Sequence, residues 1–403
     1  MPKKFPLTLF LLFIFISLNA QAPLVRDPGV PVPVVNSASA VVIDAATGTF
    51  IFFKNPDEEI PPASLTKLMT IHLALREVKA GKASLDTIIN PPRPSWAINQ
   101  PPRSSLMFLA DGQRATLNDL LLGLAVPSGN DAAVAVALHF APTVRDFTDM
   151  MNLEAQALGM TATHFDEPSG ISEYNMTTAR EFAQFCRYYI NTHPETLTEY
   201  HSVPEFAYPK VENVAPVFQN RPGTIIQPNR NSLLKTVAGV DGLKTGYIDE
   251  AGYNIALTAQ RGETRFIAII LGAPLRGGDR IRDEDGARLI NWAFENYKTV
   301  FPPAPEPEPV RVWKGKTNYT GIAVNEPPEF TSTANRADPL RWRTELIDPL
   351  IAPLPAGSVV GELVYFDDLG DLKRLSLYTL DDIADGGFFK RLFDSIRLFF
   401  RRK

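Results

Sequence analysis

Apolar positions along the chain follow two rhythms, period two and period 3.6, and each marks a different kind of element. Ala40-Val-Val-Ile-Asp44 and Phe50-Ile-Phe-Phe53 flank Ala-Thr-Gly-Thr, a pattern that predicts a β-hairpin. Leu65 to Val78 has helical spacing. Thr116-Leu-Asn-Asp119 reads as a capping box opening a helix to Ala125, with Asp in place of the usual Glu or Gln. Asp131 to Phe140 is small and apolar all round, as expected of a buried helix. Further helices are predicted at 145–158, stopped by Gly159, and at 178–191, where Thr178 and Glu181 suggest a second box.

Strand character returns at Asp241–Gly246, Tyr253–Gln260 and Thr264–Gly272, and a long helix over about 280–298 closes the unit. Strands at both ends with helices between them predict a sheet packed against helices, in an α/β or α+β arrangement spanning 35–298. The alternate prolines of Phe301-Pro-Pro-Ala-Pro-Glu-Pro-Glu-Pro309 favour an extended, semi-rigid segment, so 299–309 reads as a linker. Beyond it, Val310–Trp313, Val359–Phe366 and Leu372–Leu380 have β character without a helix-length period. They predict a small β-rich domain over 310–384.

The two ends depart from this pattern. Lys3-Lys4, an apolar run to Leu18 and the exit Ala20-Gln21-Ala22 read as a secretory signal peptide over 1–22. The expected cut lies near Ala20, because Pro23 hinders cleavage after Ala22. At the other end, residues 386–403 begin with a Gly386-Gly387 hinge. On a helical wheel Phe388, Phe389, Leu392, Phe393, Ile396, Phe399 and Phe400 share an arc of about 140°. Lys390, Arg391, Asp394, Arg397, Arg401 and Arg402 lie opposite. Such a helix is expected to lie on an anionic membrane surface through residues 388–403; the alternative is a terminal helix docked on the protein's own body.

Composition narrows the function. Of 403 residues 45% are hydrophobic and 21% charged, which is an ordinary globular balance. Forty basic against forty-five acidic residues argue against nucleic-acid binding that relies on overall charge. The single Cys186 excludes an intrachain disulfide framework and a cysteine-cage zinc site, and it sits on an apolar helix as a core residue. His72, His139, His193 and His201 lack H-E-x-x-H or paired spacing and are assigned core or surface roles; no metal or cofactor is expected.

Three short motifs carry candidate chemistry. Ser64-Leu-Thr-Lys67 opens the first strong helix, and its spacing places Ser64 and Lys67 on one face, about 5–6 Å apart at Cβ. A neutral lysine there can take the proton as the serine attacks an acyl carbon, and free N–H groups at a helix start can stabilise an oxyanion. Such a spacing arises by chance about once or twice in a chain this long, and Ser232-Leu-Leu-Lys235 is a second example. Ser128-Gly129-Asn130 lies in a turn between helices, where a serine can relay a proton and an amide can hold a carbonyl; alone it is an ordinary cap. Lys244-Thr245-Gly246 ends a predicted strand. There Lys244 can attract a carboxylate, Thr245 can donate to it, and Gly246 lets an extended peptide approach the backbone.

The three motifs in this order resemble those of penicillin-binding proteins and class A β-lactamases. With Ser104–Phe108, Ser128–Ala132, Asn229-Arg-Asn231 and Val240–Gly246, the chain resembles the serine-type D-alanyl-D-alanine carboxypeptidases, the low-molecular-mass penicillin-binding proteins of Gram-negative bacteria. That resemblance implies a penicillin-binding, β-lactamase-like transpeptidase domain with an antiparallel sheet flanked by helices, then a small all-β domain and an amphipathic helix. It implies that Ser64 is the nucleophile, Lys67 its base, and Ser128 and Asn130 the second edge of the cleft. Lys244, Thr245 and Gly246 would bind the substrate, and the backbone N–H groups of Ser64 and Tyr247 would form an oxyanion hole. The implied substrate is the peptidoglycan stem pentapeptide, with β-lactams as covalent inhibitors, at the periplasmic face of the inner membrane; a homodimer is left open.

One departure is Tyr247, where many members carry histidine. Acylation is expected to survive, since the contact uses backbone only, while deacylation can differ. Glu167, in His164-Phe-Asp-Glu-Pro-Ser-Gly170, invites comparison with the deacylating glutamate of class A β-lactamases, but its neighbours match poorly and a loop-capping role is expected. Two other readings keep the motifs: a β-lactamase, separated by penicillin turnover, and a catalytically weak cell-wall-binding protein, separated by a persistent adduct without D-alanine release.

Overall fold

The computed structural model describes residues 29–303, 305–336 and 340–401, so the signal peptide expected at 1–22 lies outside the described residues. The hairpin read from residues 40–53 forms as β1 (Ser39–Asp44) and β2 (Phe50–Lys54), paired antiparallel. Five helices follow: α1 (Lys67–Lys79), α2 (Leu117–Ala125), α3 (Asn130–Phe140), α4 (Val144–Ala157) and α5 (Ala179–Thr192). The chain then returns as β3 (Val240–Ile248), β4 (Gly252–Arg261) and β5 (Thr264–Ala273), before α6 (Gly278–Asn296). These strands make one antiparallel sheet in the order β2-β1-β5-β4-β3, so β3 is an edge strand.

The central strands are apolar on both faces because both faces are covered. In β1, Val41 and Ile43 join the core shared with α1–α5, while Ala40 and Val42 join the core under α6. In β5, Ile267, Ile269 and Leu271 point to the first core, and Phe266, Ala268 and Ile270 to the second. Side chains alternate across a strand, so a sheet buried on both sides reads as a continuous apolar run.

Two caps expected from the sequence differ in detail. At α2 the box is complete: Thr116 Oγ1 accepts from Asp119 N at 3.0 Å and Asp119 Oδ2 accepts from Thr116 N at 3.1 Å. At α5 only half forms. Thr178 accepts from Glu181 N, but the Glu181 carboxylate accepts instead from Ala162 N and Thr163 Oγ1, tying down the loop before it. The long helix also ends earlier than expected, at Asn296, because Tyr297 is buried and starts a strand.

That strand, β6 (Tyr297–Val300), pairs with Phe330–Thr333 of the C-terminal part. The buried Asp44 carboxylate accepts from Thr299 Oγ1 and Thr331 Oγ1, each at 2.8 Å, which adds side-chain bonds to the junction. The C-terminal part is all-β, with β7 (Val310–Trp313) and a sheet built on the hairpin of Val359–Asp367 and Gly370–Thr379, around a core that includes Val312, Leu363, Tyr365 and Leu377. The chain ends on α7 (Gly387–Arg401). No helix among the described residues is long and apolar enough to cross a membrane.

Candidate active site

Ser64 lies in a 3₁₀ turn (Ala63–Thr66) that leads directly into α1, so the helix proper starts at Lys67 rather than at Leu65. Pro62 precedes the turn and Ala63 takes a left-handed φ of 50°, a strained backbone that positions Ser64 at the helix entrance. Lys67 is fully buried. Its Nζ donates to Ser64 Oγ at 2.9 Å, to Asn130 Oδ1 at 2.7 Å and to the Ser169 carbonyl. Burial pulls its pKa down to about 7, against the opposing charges of Glu167 and Asp131.

The Ser128 turn follows α2. Ser128 has a φ of 67° and Asn130 is the first residue of α3, so the turn aims both toward Lys67 and the cleft. Beneath it, Asp131 accepts from the backbone N–H groups of Met107, Phe108 and Leu109 at 2.8–2.9 Å. Asn130 N also donates to the Ser105 carbonyl. These bonds hold Ser104 and Ser105 on the rim. The sequence offered no local sign that Asp131 organises a segment more than twenty residues away.

The third wall is the edge strand β3. Lys244 is 2% exposed and its Nζ donates to the Thr245 carbonyl at 3.0 Å. Burial, followed by the nearby charges of Lys67, Arg230 and Arg282, holds its pKa well below the usual lysine range. A Cβ on Gly246 would stand 2.9 Å from Ser64 N and 3.0 Å from the Pro62 carbonyl, so the strand backbone passes directly against the serine turn. Gly170 closes the opposite side: at its φ of 83°, a Cβ would stand 1.8 Å from the Ala63 carbonyl.

Tyr247 is 43% exposed. Its ring rests 4.3 Å from that of Tyr253, and its hydroxyl bonds to Asp249, which pushes its pKa up to about 12. Ser64, Ser128, Asn130, Thr245, Gly246 and Tyr247 line one open cleft of about 660 Å³. Lys67 and Lys244 lie buried behind it. Arg230, within the Asn229-Arg-Asn231 segment, lines the cleft as well, as does Arg282, which was not singled out from sequence. Arg282 arrives from α6, and nothing in its local pattern distinguishes it from a surface helix cation.

Glu167 caps its own loop, accepting from Ser169 N and Oγ at 2.7 and 2.6 Å and from Ile171 N at 2.8 Å. Ser232, of the second Ser-x-x-Lys match, bonds to Asp283, and Lys235 is exposed. Cys186 is buried in the main core, as are His72, His193 and His201 in the interior. Among the described residues no group of three or more His, Cys, Asp or Glu is placed to hold a metal ion.

A serine–lysine pair at a helix entrance, faced by a serine-asparagine turn and an edge strand, defines the class of penicillin-interacting serine enzymes. Residues 27–275 match the D-alanyl-D-alanine carboxypeptidase family, and residues 296–385 match the C-terminal domain of penicillin-binding protein 5. The chain belongs to this family of D-alanyl-D-alanine carboxypeptidases. It is 32% identical to the D-alanyl-D-alanine carboxypeptidase DacC of Escherichia coli, over 96% of this chain and 94% of that one. It is equally identical to DacA of Haemophilus influenzae, over 94% of each. Among solved structures, penicillin-binding protein 5 of Haemophilus influenzae superposes with a TM-score of 0.77 at 31% identity, covering 89% of this chain and 100% of that one. The D-alanyl-D-alanine carboxypeptidase DacD of Francisella tularensis superposes with a TM-score of 0.73 at 27% identity, covering 91% and 97%.

Proposed function

We propose that the protein is a serine D,D-carboxypeptidase that removes the terminal D-alanine from peptidoglycan pentapeptide stems through an acyl-enzyme on Ser64. One observation carries this: a buried lysine, with a pKa brought to about 7, within 2.9 Å of the serine hydroxyl. At neutral pH a large fraction of Lys67 is unprotonated and can accept the serine proton as Ser64 Oγ attacks the carbonyl of the penultimate D-alanine.

The substrate lies along the free edge of β3 as an added strand. Its terminal carboxylate meets Thr245 and Lys244, with Arg282 and Arg230 adding positive potential. Gly246 leaves room for the peptide backbone. The N–H groups of Ser64 and Tyr247 stabilise the tetrahedral oxyanion. The intermediate collapses as Ser128 relays the proton to the departing D-alanine amine; Asn130 holds Lys67 and the substrate amide. Water then releases the shortened stem. A β-lactam presents the same carbonyl and carboxylate, acylates Ser64, and leaves slowly because its departing group stays tethered.

The leader read at 1–22 supports export to the periplasm. The exposed aromatic face of α7 supports peripheral attachment to the inner membrane, with the β-domain as a spacer. The test is incubation with diacetyl-Lys-D-Ala-D-Ala and measurement of free D-alanine. Release by the wild type and none by Ser64→Ala is expected; no release, or equal release by both, sinks the reading.

A further inference from the structure

The helix α7 is not an independent float: its polar side is pinned to the β-domain while its apolar side faces out. Asp394, 1% exposed, accepts from Lys314 N at 2.7 Å and from Lys390 Nζ at 2.5 Å. At the helix end Arg401 pairs with Asp348 at 2.9 Å. Seven apolar residues of the helix, from Phe388 to Phe400, remain 45–73% exposed. The Arg401–Asp348 pair sets the helix end beside residues 346–351, where Leu346, Ile347 and Ile351 are 40–54% accessible.

Two cavities flank the Arg401–Asp348 pair. One, of about 460 Å³, is lined by Ile351 and Phe399 together with Lys314, so the apolar surface of the helix continues onto the β-domain. The other, of about 550 Å³, is lined by Arg311, Trp313, Leu346 and Ile347. The Arg311 guanidinium lies 4.2 Å from the centroid of the Trp313 ring and that of Arg401 5.8 Å from it. Arg311 makes no direct ion pair among the described residues, although its charge reaches the buried Asp394 carboxylate and helps hold that pKa down. Three cations and the carboxylate Asp348 line the two cavities, and Asp394 lies buried behind them near Arg311.

We infer that this junction is a binding site for the phosphate headgroup of an anionic phospholipid, and that residues 346–351 form a second membrane contact beside α7. The inference rests on the reading of α7 as a membrane-seated helix. A helix lying in the interface with its phenylalanines in the acyl boundary puts its flanking cations at the depth of the phosphates. A guanidinium matches a phosphodiester in both charge and geometry. Arg311 is the principal contact, because Arg401 is held in a direct ion pair by Asp348 whereas Asp394 acts on Arg311 only at longer range. The aliphatic side chains of Leu346, Ile347 and Ile351 accompany the adjoining acyl chain. The catalytic domain is thereby held in one orientation above the membrane, since the lipid-binding residues belong to the rigid β-domain as well as to the helix.

The test is co-sedimentation of the mature protein with vesicles of phosphatidylcholine alone and of phosphatidylcholine mixed equally with phosphatidylglycerol. The wild type should prefer the anionic vesicles. Arg311→Gln and Arg401→Gln should each lose about five-fold in affinity for them and little for phosphatidylcholine. Arg341→Gln, which removes a cation from the far end of the strand Arg341–Leu346, should lose less than two-fold. Ile347→Ser should weaken binding to both vesicles. D-alanine release from a soluble peptide, unchanged in all variants, verifies folding. Equal losses in Arg311→Gln and Arg341→Gln, or no loss in Arg311→Gln and Arg401→Gln, would overturn the headgroup site while leaving α7 as the anchor. Inorganic phosphate binding that Arg311→Gln abolishes, with anionic-vesicle affinity unchanged in that variant, would assign the cavity to a free anion and overturn it too. Failure of the wild type to bind either vesicle would remove the anchor reading itself, and this inference with it.

Discussion

Lys67 Nζ stands 2.9 Å from Ser64 Oγ with no exposure to solvent, so in the proposed mechanism its protonation state decides whether the serine is activated. Burial lowers its pKa to about 7, which makes the base competent above that pH and silent below it. The rate of Ser64 acylation by penicillin should therefore fall by about tenfold per pH unit below about 7 and level off above it. Lys67→Ala should lower acylation by about 10²–10⁴-fold. A rate that does not change with pH through this range would remove Lys67 from the role of base.

Lys244 is buried, with Arg230, Arg282 and the titrating Lys67 nearby, so its ammonium form is disfavoured until an anion enters the cleft. In the proposed complex that anion is the terminal carboxylate of the substrate. Lys244→Ala should lower kcat/KM for a D-Ala-D-Ala peptide by about 10- to 150-fold, the worth of a charged hydrogen bond. The same substitution should barely affect the slow turnover of the C-terminal amide of that peptide. Equal losses on both substrates would contradict carboxylate recognition.

Gly170 combines a φ of 83° with a backbone contact that leaves no space for a Cβ. Gly170→Ala should displace the Ala63–Ser64 turn, lower stability by about 1–3 kcal/mol and slow acylation. Thermal unfolding and penicillin acylation, measured together, check this; a variant with the wild-type Tm and acylation rate would show that the turn is not constrained from that side.

Seven apolar side chains on the outward face of α7 are exposed, and its docking bonds are polar. Deleting residues 388–403 should move the mature protein from the membrane to the soluble periplasmic fraction, with hydrolysis of a soluble peptide retained. Continued membrane association after the deletion contradicts the anchor.

Much of the site was readable because it depends on local spacing. Ser64 and Lys67 are neighbours through helix geometry, and Lys244 and Gly246 share a face of a strand through its period of two. Contacts made across the fold were not readable. Arg282 reaches the cleft from α6, and Asp131 gathers three backbone N–H groups from another segment. Glu181 matched a local box, yet the 161–163 loop captured its carboxylate. Asp394 looked like one more polar-face residue of an amphipathic helix, but it is the buried peg that joins that helix to the β-domain. For the helix, the polar side docks on the body, as one of the two sequence alternatives expected, and the apolar side is left exposed for the proposed membrane contact.

The most direct test of the account is intact-mass analysis of the mature protein during and after exposure to penicillin. The account predicts one covalent adduct of penicillin mass on the wild type, its slow loss, and recovery of D-alanine release as it disappears. Ser64→Ala should remain unmodified throughout. Absence of an adduct on the wild type, or an equal adduct on Ser64→Ala, would contradict the assignment of Ser64 as the nucleophile.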